Sequence, residues 1–375
     1  MKSVTVARRG EELGTDYDVH VRIPALAAMP WGLVLAYDVR PSALDLPGPH
    51  GIAYRVSTDH GATWSGPSWI TEPGPIGTGD ASLISTDREL LCFYVSSDAK
   101  SFWDDTDPGS WGLWLARTGD GTNWTHENVS VSLWPEDAGS LFASSGNGIQ
   151  LSTGRILQPL VIRRRASQER YVSMAISDDH GLSWRLGSPV EGCDETKVVE
   201  ADDGVVVLHS RSTPHRLLAF SIAGGETFTD PVPDLAEPGC NGGLTHLPDL
   251  GVVATTIDPR YAKADGTMID PTGGRGTDSG PDWSQRRGLV LRRASLTHRR
   301  AGVADGRDAE MAVGMEAEEK PPTLSPAWGD PLVLDDGPAA YSVAIALSDG
   351  IAVAWEHGTY ETIEFANIPL KNIPV

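Results

Sequence analysis

Cysteine is scarce in this chain of 375 residues. There are three, Cys92, Cys193 and Cys240. Their odd number and wide spacing exclude a disulfide framework or a thiolate metal cluster, so they read as buried thiols. No two histidines have zinc-ligand spacing, and the Asp-rich stretches lack the spacing of a calcium loop. No run of about 18 apolar residues occurs, so no membrane-spanning helix is expected. Basic residues are outnumbered, 30 Lys and Arg against 51 Asp and Glu, for a net charge of −21. That excludes nucleic-acid binding through a general positive field. It leaves room for an anionic small ligand, because charges are screened over about 8 Å at physiological salt and a local arginine cluster can dominate its own cleft. Residues 1–14 are polar, with no apolar stretch and no small-residue cleavage site. No secretory signal is read there, and a cytoplasmic location is expected. No long amphipathic helix is read before residue 300.

Glycine, proline and tryptophan are plentiful by contrast, at 41, 27 and 12 residues, which suits short strands joined by tight turns. An eight-residue unit occurs twice almost intact, as Ser57-Thr58-Asp59-His60-Gly61-Ala62-Thr63-Trp64 and Ser177-Asp178-Asp179-His180-Gly181-Leu182-Ser183-Trp184. In the shared pattern Ser-x-Asp-x-Gly-x-Thr/Ser-Trp the carboxylate can accept backbone amides and close an Asx-type turn. The glycine supplies a positive φ that a Cβ would penalise, and the tryptophan can pack beneath the turn. Two weaker copies follow. Arg117-Thr118-Gly119-Asp120-Gly121-Thr122-Asn123-Trp124 reads as keeping Gly and Trp with the Asp moved one place, and Ser221-Ile222-Ala223-Gly224-Gly225-Glu226-Thr227-Phe228 has lost the Asp. The copies start at 57, 117, 177 and 221, a spacing that suits one four-stranded propeller blade each and allows about six blades. The expected fold is therefore all-β, a six-bladed β-propeller of four-stranded antiparallel blades, in a single domain over residues 1–375.

Other residues stand out in chain order. Val21-Arg22-Ile23-Pro24 reads as a strand ended by proline, and a lone Arg22 there usually makes a surface salt bridge. Tyr37-Asp38-Val39-Arg40-Pro41 follows, then Asp45-Leu46-Pro47-Gly48-Pro49, where Asp45 alone reads as a turn residue. Arg-Ile-Pro, Tyr-Asp-x-Arg-Pro, Asp-x-Pro-Gly-Pro and the Ser-x-Asp-x-Gly-x-Thr-Trp box, in this order and spacing, resemble the bacterial exo-sialidase family. Further stretches extend the resemblance over about residues 20–365. Gly79-Asp80-Ala81-Ser82 is similar to the family's Gly-x-Asp-Pro-Ser, with Ala81 in the proline's place. Ala143-Ser144-Ser145-Gly146-Asn147-Gly148-Ile149-Gln150 resembles a segment building the floor of the family's site. Asp194-Glu195 with Ser210-Arg211, and Tyr341-Ser342 with Glu356, match the remaining pieces.

The resemblance implies a role for each residue. Arg22, Arg211 and a third arginine would bind the substrate carboxylate. That third position is ambiguous by one residue, with Arg286 favoured and Arg287 the runner-up, because Gln285 and Gly288 depart from the family pattern. Glu356 would steady Arg22, and Asp80 and Arg40 would contact the bound sugar. Phe102, Trp103 and Trp111 would wall a pocket for an acyl group, or simply pack in the core or a lid. Tyr341 would be the nucleophile, Glu195 its base and Asp45 the acid/base on its Pro-Gly loop. Without the resemblance, Glu195 reads as a solvated edge-strand charge. Residues 255–285 read as a polar loop, and residues 295–328 as a charged surface insert with a helix over 309–320.

The chemistry fits a terminal sialic acid, whose anomeric carbon carries a carboxylate. Planar guanidinium groups bind that carboxylate bidentately. An Asp or Glu nucleophile would be repelled by it, whereas a neutral tyrosine would not. Tyrosine, with a pKa of about 10, needs a neighbouring base; tyrosine-using sialidases depart in this way from the two-carboxylate pattern of most glycosidases. The implied activity is retaining exo-α-sialidase hydrolysis of sialylated glycans, with no metal or organic cofactor. Open alternatives are transfer to a sugar hydroxyl, action on a related nonulosonic acid, and a non-catalytic glycan-binding propeller.

Overall fold

The computed structural model describes residues 2–248, 250–261, 286–299 and 323–374. Gln285 and the helix expected over 309–320 lie outside them. The regular structure of the described residues is almost all strand, in five sheets, of which one has eight strands. That large sheet divides along the long strand Leu332–Leu347. Its first part pairs back on Arg287–Arg299, while residues 339–347 pair with Gly350–His357. Divided there, the strands fall into six groups built around four antiparallel strands. The first comprises His20–Met29, Gly32–Arg40, Gly51–Ser57 and Ser68–Thr71. The last is closed by the N-terminal strand Val4–Arg8, which pairs with Thr362–Pro369.

The core has the same plan. Six buried clusters each join neighbouring groups. One runs from Val343, Ala354 and Phe365 of the last group to Leu26, Leu35 and Tyr37 of the first, so the ring closes. Strands such as Leu90–Ser97 are buried on both faces, since each sheet is covered by a neighbour on either side.

The repeated boxes hold the corners between third and fourth strands. In the first, Asp59 accepts hydrogen bonds from Thr63 N at 2.9 Å, Thr63 Oγ1 at 2.6 Å and Ser57 Oγ at 2.8 Å. Asp179 repeats the pattern with Ser183 and Ser177. Gly61, at φ 87°, lies against the ring of Phe365, where a Cβ would collide. In the copy at 117–124 the Asp stands one place nearer the Gly, as the sequence reads, and the turn still forms. Thr118 Oγ1 takes the place of the box serine, receiving Gly121 N at 2.9 Å, and Asp120 accepts from Asn123 N at 2.9 Å. The tryptophans also do more than sit beneath their own turns. Trp64 packs edge-on against Phe365, Trp124 against Tyr54 and Trp184 against Phe93, with centroids 5.1, 5.6 and 4.9 Å apart. Each box thus fastens its sheet to the preceding one, an aromatic contact worth about 0.5–1.5 kcal/mol beyond its buried area.

Two further readings change. Pro24 does not end its strand. Ile23 and Pro24 together oppose Tyr37 in a bulge, with Ile23 at φ 58°, and pairing resumes at Ala25. A bulge frees the proline from donating to the ladder. The insert read over 295–328 is also not loop at its ends, because Ala294–Arg299 pairs antiparallel with Thr323–Trp328.

Candidate active site

The innermost strands and the turns beside them bring the expected residues to one face near the centre of the ring. Most line a single cleft of about 480 Å³: Arg22, Asp45, Asp80, Glu195, Arg211, Arg286 and Tyr341. Arg40 and Glu356 stand behind its wall, fully buried. Arg287, one residue further along, is absent from the lining, whereas Arg286 is part of it.

Arg22 is placed by the bulge. Its Nε donates to Glu356 Oε1 at 2.9 Å and its Nη2 to Oε2 at 3.4 Å, while the twisted backbone aims Ile23 N at the same carboxylate at 2.8 Å. Both side chains are buried, at 2% and 0% exposed, so Arg22 is an interior ion-pair partner and not a surface one. Its guanidinium lies 4.2 Å from the ring centroid of Tyr360 and 5.4 Å from that of Tyr341. Arg286 donates to Tyr360 Oη at 3.1 Å and to Gly239 O at 3.3 Å, and lies 5.3 Å from the Tyr341 ring.

Glu195 sits just before the strand Thr196–Glu200. Its neighbours fix the turn: Thr196 N donates to Ser144 Oγ at 2.7 Å and Asp194 N to Ser210 Oγ at 2.9 Å. The floor segment read at 143–150 therefore does reach beneath the site. Glu195 is 3% exposed and belongs to the site, not to a solvated edge. Its Oε2 accepts Tyr341 Oη at 2.8 Å and also Arg211 Nη1, which in turn reaches Tyr341 Oη at 2.9 Å. Burial pushes the Tyr341 phenol well above its ordinary range; Arg211, Arg286 and Arg22 pull it down while Glu195 adds to the rise. Unliganded, Tyr341 is a neutral phenol donating to its carboxylate neighbour.

Asp45 is at the mouth, with a side chain 78% exposed. Its Oδ1 accepts Arg40 Nη1 at 2.7 Å and lies 3.7 Å from Arg22 Nη1. Burial of the surroundings raises its pKa, but Arg40 and Arg22 outweigh that and bring it to about 2. Without ligand it is ionised. Arg40 also binds Asp38 Oδ2, at 2.7 and 3.2 Å, and Asp80 N donates to that same oxygen at 3.2 Å. Asp80 adopts φ 59°. Desolvation first, then Asp38, holds its carboxyl well above the usual range.

Phe102, Trp103, Trp111 and Phe142 form the apolar end of the cleft, with Arg170 over the Trp103 ring at 5.5 Å. Trp111 is anchored by its Nε1–H to Leu141 O. Sequence reasoning passed over Asp38, Arg170 and Tyr360. Asp38 was visible inside Tyr-Asp-x-Arg-Pro; Arg170 and Tyr360 carry no local pattern.

This geometry can hold a carboxylate between arginines, present a phenol next to a base, and place a carboxyl group at the entrance. Among the described residues, no group of three or more His, Cys, Asp or Glu could hold a metal ion, and no helix is long and apolar enough to cross a membrane.

The family described as BNR repeat-like domain matches residues 45–259. A sialidase from Micromonospora viridifaciens is 38% identical over 272 residues, covering 63% of this chain and 41% of that protein. A sialidase from Paraclostridium sordellii is 26% identical over 249 residues, 60% of this chain and 61% of that one. The chain thus spans less than two thirds of either relative. Among solved structures, a Hadza microbial sialidase superposes with a TM-score of 0.71 at 21% identity, over 94% of this chain and 66% of that chain. The leech intramolecular trans-sialidase superposes at 0.72 with 16% identity, over 100% of this chain and 71% of that chain. These likenesses, at low identity, are likenesses of fold. The family match, which spans more than half of the chain, assigns it: the chain belongs to the BNR repeat-like domain family.

Proposed function

We propose that the chain is a retaining exo-α-sialidase that cleaves terminal sialic acid from glycans through Tyr341. The observation that carries this reading is the Tyr341 Oη to Glu195 Oε2 hydrogen bond of 2.8 Å inside an arginine-lined cleft. Arg22, Arg211 and Arg286 receive the substrate carboxylate, each charge-assisted bond contributing about 1.5–3 kcal/mol. Tyr341 Oη attacks the anomeric carbon as Glu195 takes its proton. Asp45 gives a proton to the departing glycosidic oxygen. In the second half Asp45 takes a proton from water, the water oxygen attacks the same carbon, and Tyr341 leaves and recovers its proton.

The low pKa of unliganded Asp45 sets a condition on this scheme. The acid must be protonated in the complex. A substrate carboxylate bound to Arg22 cancels part of the positive field that holds Asp45 ionised and brings negative charge near it, and both effects raise its pKa. The apolar end of the cleft is suited to an acyl substituent.

The test is fluorophore release from an aryl α-sialoside by the parent, Tyr341→Phe and Asp45→Ala. The expected result is turnover by the parent, its loss in Tyr341→Phe, and a milder defect in Asp45→Ala than on a natural disaccharide, because an activated leaving group needs little acid help. No turnover by a folded parent would overturn the reading. Adding a sugar acceptor distinguishes hydrolysis from transfer, since only transfer yields an acceptor-dependent sialoside.

A further inference from the structure

Beneath Glu195 lies a buried lysine that the mechanism above does not use. Lys197 is 1% exposed. Its Nζ donates to Ser145 O at 2.6 Å and to Asn241 Oδ1 at 2.7 Å. The other end of the same amide, Asn241 Nδ2, donates to Glu195 Oε1 at 3.1 Å, to Ser145 Oγ at 3.0 Å and to Ser145 O at 3.2 Å. Gly146, at φ 112°, makes the space: a Cβ there would stand 2.8 Å from Lys197 Cε. The two oxygens of Glu195 are therefore divided. Oε1 is held from below by Asn241, and Oε2 faces Tyr341.

We infer that Lys197 is a positioning residue for Glu195, acting through Asn241. The inference rests on the reading of Tyr341 as nucleophile and Glu195 as its base. A terminal amide can present either its oxygen or its nitrogen. With Lys197 donating on one side and Glu195 Oε1 accepting on the other, only Oδ1 can face the lysine, since the reversed amide would set its oxygen against the Glu195 oxygen. Nδ2 is then committed to Glu195 Oε1, and the carboxylate cannot rotate Oε2 away from the phenol without losing that bond. Burial lowers Lys197 to about 7, opposed by Glu195. Either protonation state still supplies the two hydrogens that Ser145 O and Asn241 Oδ1 accept. The device is thus the donor pair and not the charge.

The test separates base positioning from ligand binding. The parent, Lys197→Met and Lys197→Gln are incubated with 2,3-difluorosialic acid. The rate of covalent labelling at Tyr341 is followed by mass spectrometry, and the Kd for free sialic acid by calorimetry. Lys197→Met is expected to slow labelling about 10- to 100-fold while Kd stays within about twofold, as a small misplacement of a reacting group does. Lys197→Gln, whose amide can still donate two hydrogens, is expected to recover part of the rate. If Lys197→Met does not fold, Asn241→Ala carries the same expected split. A folded Lys197→Met labelled as fast as the parent overturns the inference, and so does a parallel loss of rate and affinity. A parent that labels at no tyrosine removes the nucleophile reading and this inference with it. Labelling of the parent at Tyr341 with no change in the variants removes the inference alone.

Discussion

Tyr341 and Glu195 lie 146 residues apart in the chain, yet the phenol oxygen donates to the carboxylate across 2.8 Å. Arg211 contacts both. Glu195→Gln keeps a hydrogen-bond acceptor near the phenol and removes the base. It is expected to lower kcat about 10²- to 10⁴-fold with little change in KM, because the arginines that hold the carboxylate remain. Steady-state kinetics on an aryl α-sialoside check this. A loss under tenfold would mean that Glu195 does not take the proton.

Arg22 and Glu356 are both interior groups, and removing one strands the other. Glu356→Leu is expected to destabilise the protein by about 3–5 kcal/mol, the usual cost of an uncompensated buried charge. Adding Arg22→Met should return part of that stability while activity stays lost. Urea unfolding of the two variants measures the first effect, and sialoside turnover the second. Equal stability of the single variant and the parent would contradict the interior pairing.

The corner boxes give a pH signature. The Thr63 hydroxyl first, then the Thr63 amide and Ser57, bring Asp59 to about 2, against about 3.9 in an unfolded chain. A depressed folded value stabilises the fold above the unfolded pKa and ceases to do so as pH falls through the folded one. Asp59→Asn should therefore melt below the parent at neutral pH, with the gap shrinking between about pH 4 and pH 2. A gap independent of pH would show that the charge of Asp59 is not what the turn uses.

Asp45 should take up a proton when ligand arrives. Its free value of about 2 reflects Arg40 and Arg22 outweighing desolvation. Sialic acid bound to Arg22 weakens that field, so the bound pKa is higher and affinity strengthens as pH falls toward it. Calorimetry near pH 5 in buffers of different ionisation enthalpy should show net proton uptake, reduced in Asp45→Asn. Net release would contradict the proposed acid.

What could be read in the sequence was local. The boxes, Arg22, Asp45 and the pairs Glu195/Arg211 and Tyr341/Glu356 sit in short ordered motifs; the boxes hold strand corners, and the structure gathers the other residues at one cleft or directly behind its wall. The strand Val4–Arg8 escaped notice because its partner, Thr362–Pro369, lies at the other end of the chain. Asn241, Ser145 and Lys197 come from separate parts of the ring, and no spacing rule joins them. Pro24 misled because a proline usually ends strand pairing, and a bulge depends on the facing strand as much as on its own residues. The net charge of −21 likewise says nothing about the cleft, where Arg22, Arg211 and Arg286 converge.

The most direct test of the central claim is the configuration of the first product. NMR of an α-sialoside digest, recorded before the released sugar equilibrates, should show the α-anomer of sialic acid first. Two displacements at one carbon, by Tyr341 and then by water, restore the starting configuration. The β-anomer appearing first would mean direct attack by water, and Tyr341 would not be the nucleophile.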